Sequence, residues 1–285
     1  MSNQTIRGVI LMLFANVVFC CMAALVRFLS DCNAWTTTLF RFVTGIGIIS
    51  LFALSGRIHL TFVDNRGLLL RGFLGGIATA IFFYSISKIG LVKAGFIAGL
   101  YPAFATLFSH YILKERLSPI KWLALAGSFG GIILIMNSNA KTNGLFSGYS
   151  RYDLFALTGT MLAGLSVVSV KKLQTTDSTV AIFFAQCCIG AFIVFIPASI
   201  GQITISPGIL LLLISVGILA TVGQLLSTDS YRYLSVSTGS LLVMTIPVFN
   251  CIAGLVLFHE PVTPLMIIGA LVIAGSSLGF ILVRD

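Results

Sequence analysis

Leu100-Tyr-Pro-Ala-Phe104, running on to Leu113-Lys-Glu115, is matched by Thr245-Ile-Pro-Val-Phe249, running on to Phe258-His-Glu260. The offset between the two stretches is 145 residues, and it also lays Ser85 on Ser230, Pro119 on Pro264 and Gly130 on Gly275. At the same spacing Leu117-Ser118 meets Val262-Thr263. One fixed offset that aligns two internal prolines and a loop acid marks a duplicated chain. The earlier parts of the halves share only a hydropathy pattern, with basic residues closing the first helix of each: Arg27, then Lys171 and Lys172.

Both copies of the motif lie in apolar sequence. Of 285 residues, 58% are hydrophobic and 9% charged, against roughly a quarter charged in a soluble domain. So few polar side chains cannot cover a water-exposed globule, and lipid must cover much of the surface. Charge-free runs such as 8–26, 72–87, 94–113, 154–170 and 261–283 have about the ~17–25 residues that a spanning helix needs. The run 178–228 is too long for one span and divides at the turn segment between Pro197 and Pro207, around Gly201. The predicted spans are 7–29, 34–55, 67–88, 92–113, 119–137, 153–172, 178–198, 208–230, 234–257 and 264–283. The expected fold is an all-α membrane protein of ten transmembrane helices. Residues 1–138 and 150–285 form two five-helix repeats, joined by the polar stretch from Asn137 to Ser150. Five is odd, so the second repeat enters the membrane from the opposite side. Such inverted repeats recur in secondary transporters, with the substrate site near midplane where the repeats meet.

The net charge of +9 is read as the positive bias of cytoplasmic loops and not as a nucleic-acid surface. With both termini in the cytoplasm, Arg27, Arg41, Lys88, Lys93, Lys141 and Arg151 fall on or near the outer side, and the other eleven of the 17 basic residues fall inside. The first apolar run exceeds the ~7–15 residues of a signal-peptide core. Six cysteines lie mostly within spans without metal-ligand spacing and read as small packing residues. No nucleophile, P-loop or H-E-x-x-H motif appears, and no Asp or Glu stands mid-span. No catalytic residue, metal site or cofactor is expected.

Some residues are suited to shape or line a path. Pro102 and Pro247 fall within helices 4 and 9, where proline removes a backbone bond and bends the helix. The carbonyls of Ala98 and Val243 are thereby freed and need protein or a wet cavity. Asn16, Tyr84, Tyr101, Gln224 and Asn250 are polar groups away from helix ends, suited either to interhelical bonding or to a substrate-binding cavity. Ser85, Ser166 and Gln186 share that character, and Phe82, Phe83 and Phe104 add apolar surface. Glu115 and Glu260 precede Ser118-Pro119 and Thr263-Pro264, a cap and first-turn proline opening the next helix. Each acid either clasps its loop to that positive helix start or serves as a gate element. Arg41 is the charge deepest in a predicted span, yet near enough to Trp35 to reach the interface. With Arg27, Lys88 and Lys93 it makes one vestibule positive, which falls short of assigning an anionic substrate.

The doubled Pro-x-Phe with its closing Glu, the Gly-rich helices 5 and 10 (Gly127, Gly130, Gly131; Gly269, Gly275, Gly279) and Arg41-Phe42 resemble the EamA-type carriers of the drug/metabolite transporter superfamily across essentially the whole chain. The family's usual Gly before the closing Glu is replaced by Lys114 and His259. The resemblance implies a central cavity lined chiefly by helices 1, 3, 4, 6, 8 and 9, which weights Gln186 in helix 7 away from it. It implies alternating-access transport of a small organic metabolite across the bacterial inner membrane. The small residues of helices 5 and 10 suit either a homodimer or packing within one bundle. The rival readings are a membrane subunit that transports nothing without a partner, and an integral-membrane lipid enzyme, for which converging acids or a metal set are missing.

Overall fold

The structure, a computed structural model, describes residues 3–58, 60–112, 119–137, 150–200, 205–234, 239, 242, 243 and 245–282. Glu115 lies outside them. Among the described residues there are eleven helices and no strand: α1 (Asn3–Phe28), α2 (Ala34–Leu54), α3 (Asn65–Ile89), α4 (Leu91–Ala98), α5 (Tyr101–Ile112), α6 (Pro119–Met136), α7 (Arg151–Leu173), α8 (Thr179–Ser199), α9 (Pro207–Tyr233), α10 (Thr245–Phe258) and α11 (Pro264–Leu282). Taken as one span, α4 and α5 complete ten helical passes. Seven of these are long and apolar enough to cross a membrane, and Thr245–Phe258 with parts of α6 and α11 supply shorter apolar helices. The outer surface is apolar, with Leu54, Phe192, Leu211 and Leu271 exposed, as a bilayer-facing surface requires.

Short polar residues start the helices. The Asn33 side chain accepts from Trp35 N–H at 3.0 Å, and Asp64 accepts from Gly67 N–H at 2.9 Å. Ser150 and Asp153 form a reciprocal capping box at α7. Each bond satisfies a first-turn donor that hydrocarbon could not. Pro207 opens α9 and Pro264 opens α11, where the missing proline N–H costs nothing.

The fourth span differs from the continuous, kinked helix expected from sequence. It breaks after Ala98, and Leu100 N–H to Ile97 O and Ala103 N–H to Leu100 O make two tight i to i−3 turns. Pro102 therefore stands in the first turn of α5, which removes the backbone clash that a mid-helix proline would create. Pro247 lies in α10, and Leu242 and Val243 before it are also helical.

The packing is paired. Helix α1 lies on α9 while α3 lies on α7, α2 on α9 while α3 lies on α8, and α1 on α10 while α4 and α5 lie on α7. Helices α2 with α8, α4 with α10, and α6 with α11 complete the bundle. The α6–α11 seam is close because a Cβ on Gly131 would stand 2.7 Å from the Gly269 carbonyl oxygen, and one on Gly269 would stand 2.6 Å from that of Gly131. These small residues therefore serve packing inside one chain. Between α1, α3, α4 and α9, Met22, Val26, Phe83, Ile86, Leu91 and Val216 form one apolar cluster, which fixes the walls around the bundle's centre.

Candidate functional site

The helix pairs line a central cavity of about 240 Å³. Helix α1 gives it Phe19, Met22 and Ala23, and α3 gives a long stripe from Arg71 through Gly75 and Thr79 to Phe82 and Ser85. From the second half, α7 contributes Thr160, Ser166 and Val167, α9 contributes Gln224, Thr228 and Tyr231, and α10 contributes Pro247 and Asn250. Ala98 and Val243, whose carbonyls the prolines leave without helical partners, both reach this lining.

Three residues singled out from sequence as substrate-binding meet here. Asn250 is fully buried, and neither its amide nitrogen nor its oxygen has a partner. A side chain added at Gly95 would stand 2.9 Å from Asn250 Nδ2, so α4 approaches α10 only because that position is bare. Tyr101 and Tyr231 both line the cavity wall. Gln224 donates to Thr228 Oγ1 at 3.3 Å. The other two stand outside the lining. Asn16 donates to Leu242 O at 2.6 Å and Thr245 Oγ1 at 3.0 Å, tying α1 to the start of α10. Tyr84 packs among Trp35, Tyr152 and Phe155, with the Lys88 ammonium 5.6 Å from its ring centre. Pro102 is buried behind the wall. Phe82 faces the cavity, whereas Phe104 belongs to the apolar cluster around α5.

Sequence reasoning singled out Arg41 but not its surroundings, and did not single out Arg71. Arg41 does not reach the interface; it is 5% exposed and lines the cavity, its guanidinium 5.8 and 5.5 Å from the Phe42 and Phe83 ring centres. The bundle covers it because α2 packs inward on α8 and α9, and the rings solvate the cation in place of water. Arg71, counted from sequence only among the basic residues of the inner side, is equally buried and donates through Nη1 to Ser166 Oγ on α7. Helix α3 begins at Asn65, so Arg71 lies about 9 Å inside its start at 1.5 Å per residue. Gln186 on α8 also lines the cavity, against the expectation for helix 7. A side chain at Gly75 would collide with Arg71 Nη1 and Gln186 Nε2. That bare position lets both groups lie over α3. The only sequence signal was two arginines inside hydrophobic runs.

At the end where α1 and α3 finish and α4 and α7 begin, charge is paired. Glu260 accepts from the N–H groups of Leu91 and Val92 at 3.0 and 2.9 Å, and meets Arg27 Nε at 2.7 Å. This helix start is α4, not the following α11 that sequence suggested. The reason is local. Thr263 Oγ1 already accepts from Met266 N–H at α11, whereas α4 follows Gly90 and has no side-chain cap. Its first donors take the carboxylate, helped by the positive helix end. Gly90 holds φ +82°, and a side chain there would stand 2.9 Å from both Glu260 oxygens. Nearby, Lys93 Nζ lies 2.7 Å from Asp153 Oδ2, both buried. Arg27 and Lys93, read as free vestibule charges, are thus both neutralised. No group of three His, Cys, Asp or Glu that could hold a metal occurs among the described residues.

The chain matches the sequence model of the EamA-like transporter family over residues 6–137 and 150–282. It is 27% identical over 271 residues to the pseudopaline exporter CntI of Pseudomonas aeruginosa, covering 93% of either chain. To human solute carrier family 35 member G1 it is 25% identical over 232 residues, 76% of this chain and 64% of that one. A solved crystal structure superposes with TM-score 0.64 at 16% identity, over 99% of this chain and 97% of its own, a likeness of fold.

Proposed function

Because this chain belongs to the EamA-like transporter family, we propose that it is a secondary carrier that moves a small organic metabolite across the bacterial inner membrane by alternating access, with both termini in the cytoplasm. The observation that carries this reading is the central cavity built jointly by both halves, with Asn250 presenting an unpartnered amide into it. The pairing of helices supports two equivalent halves: exchanging them turns α1 on α9 into α7 on α3, and α2 on α9 into α8 on α3. An odd number of passes in each half supports their inversion. Inverted halves offer two conformations of equal kind, open to opposite sides.

Tyr101, Gln224 and Asn250 are the substrate-binding residues in this reading. Asn16 and Tyr84 hold the helices that carry them. Pro102 keeps α5 separable from α4, and Pro247 bends α10. Glu260 and Arg27 close one end as a gate, and Glu115 is its counterpart by sequence offset. The relative named as an exporter of pseudopaline supports an organic solute as cargo.

The test is counterflow in proteoliposomes preloaded in turn with amino acids, organic acids, nucleoside derivatives, vitamins and quaternary amines. Accumulation of one labelled solute, reduced in folded Asn250→Ala and Tyr101→Ala variants and lost in folded Pro247→Leu, is expected. Unchanged kinetics in the first two would remove them from the site. Absence of counterflow by folded, inserted protein across the whole panel would overturn the carrier reading.

A further inference from the structure

Resting on the carrier reading, we infer that the cavity selects solutes with an anionic head group, a carboxylate or phosphate held between Arg41 and Arg71.

Both guanidiniums line the cavity at 5% exposure. Both Nε–H groups are buried without a partner. The acids of the described residues are engaged or distant. Glu260 meets Arg27, Asp153 meets Lys93 and Asp229 meets Arg232. Asp64 and Asp177 accept backbone N–H groups, and Asp31 is exposed. Among the described residues neither cavity arginine has a carboxylate partner.

A buried charge without a partner is among the costliest features a fold can carry. Lysine could discharge it by losing a proton; arginine does not. The contacts that do exist position these groups without neutralising them. Arg71 bonds the Ser166 hydroxyl, and Arg41 lies against the Phe42 and Phe83 rings. Gly75 leaves room for Arg71 and the Gln186 amide side by side. Planar forks with free N–H groups match carboxylate and phosphate oxygens in geometry as well as charge. Farther along α3, Phe82 lies roughly 16 Å from Arg71 at 1.5 Å per residue. There it meets Phe19 and Met22 of α1 in an apolar lining. The cavity therefore fits an anion with a short apolar body.

The test uses the full chain, in proteoliposomes for counterflow and in detergent for thermal unfolding. The probes are matched sets: 3-phenylpropionate, its primary amide, 2-phenylethyl phosphate and 2-phenylethylamine, with a parallel set built on leucine, leucinamide and isocaproate. The variants are Arg41→Gln, Arg71→Gln and Arg71→Lys, each checked for folding by size-exclusion. Anionic members alone should be carried or should raise Tm. Arg71→Gln should raise their KM at least tenfold, and Arg71→Lys should recover part of that loss. The carboxylate and phosphate arms identify which head group fits. If neutral or cationic members are carried in preference to anions, or the Gln variants transport with unchanged KM, this inference falls while the carrier reading stands. If anions raise Tm in an arginine-dependent way but nothing is carried, the anion site stands and the carrier reading falls. If no member is carried and none raises Tm, both fall.

Discussion

Replacing Glu260 by Gln tests whether the clasp at one end of the bundle is a gate. The carboxylate accepts two first-turn N–H groups of α4 and meets Arg27 Nε. Gln retains one acceptor and places an NH₂ where the second oxygen was. A hydrogen bond to a charged group contributes about 1.5–3 kcal/mol and a neutral one about 1. Losing charge at one bond and the acceptor at the other therefore costs about 2–5 kcal/mol. The partly exposed pair with Arg27 adds at most about 1. A total of about 2–6 kcal/mol, falling only on the clasped conformer, shifts its equilibrium with an unclasped one by roughly 30-fold at the least and about four orders of magnitude at the most. Ala94 is buried in the cavity lining three residues beyond the clasped start of α4. In a cysteine-free background, Ala94→Cys should react with a membrane-impermeant thiol reagent at least tenfold faster when Glu260→Gln is present. The acceleration should appear from one face of the membrane only, as a comparison of right-side-out and inverted vesicles will reveal. If Tm falls but the labelling rate from both faces stays within twofold of the parent, the clasp only stabilises the bundle and the gating argument is wrong.

Asp153→Asn takes the carboxylate charge away from the buried Lys93 ammonium and should cost about 3–5 kcal/mol; thermal unfolding in detergent should recover most of that loss in the double variant Lys93→Met/Asp153→Leu. Gly131→Leu drives a side chain into the Gly269 carbonyl and should lower stability by about 1–3 kcal/mol or more. A lowered Tm checks it, while Gly130→Ala, with open space around it, should leave Tm nearly unchanged. Asn16→Ala removes the bonds to Leu242 O and Thr245 Oγ1 and should cost about 1–3 kcal/mol without altering KM for a carried solute. Asn250→Ala should do the reverse, holding Tm and raising KM, because its amide has no partner inside the protein.

The ten-helix plan was legible because two features of the chain are redundant. Hydropathy marks the spans, and the 145-residue offset repeats the Pro-x-Phe and Glu motif in both halves. The site was legible only in part, because sequence ranks polar residues by depth along a helix and not by the direction in which they face. Asn16 and Asn250 look alike in that ranking, yet Asn16 meets a carbonyl and a hydroxyl whereas Asn250 meets neither. The arginines were misread for a related reason. Long side chains near a predicted helix end are expected to reach water, and neither the inward packing of α2 nor the two extra residues at the start of α3 can be read from composition. The partner of Glu260 was missed because it lies 169 residues away, on a helix whose bare start after Gly90 only the fold reveals.

Charge in this bundle falls into two kinds, and their difference bears on how a carrier could cycle. Arg27 with Glu260 and Lys93 with Asp153 are complete pairs at one end. When such an end opens, water replaces the partner on each ion, so the pair's attraction is largely offset by recovered hydration. An apolar seal has no such return, since parting it exposes surface at about 25 cal/mol per Å². Paired charges thus hold an end shut while keeping the open conformer within a few kcal/mol, the range in which a ligand can shift a population. Arg41 and Arg71 work in the opposite sense. Closure around them without an anion removes water from two unpaired cations, whereas closure around an anion completes the pairing. Empty closure is penalised and loaded closure is not, which couples the conformational step to occupancy without any acid at mid-span. Under this reasoning Arg41→Gln/Arg71→Gln should do more than weaken binding. It should accelerate Ala94→Cys labelling changes between faces in the absence of solute, because the penalty on the empty, closed state is gone. Interconversion that remains as slow as in the parent would separate the arginines from the conformational step and leave them as binding groups alone.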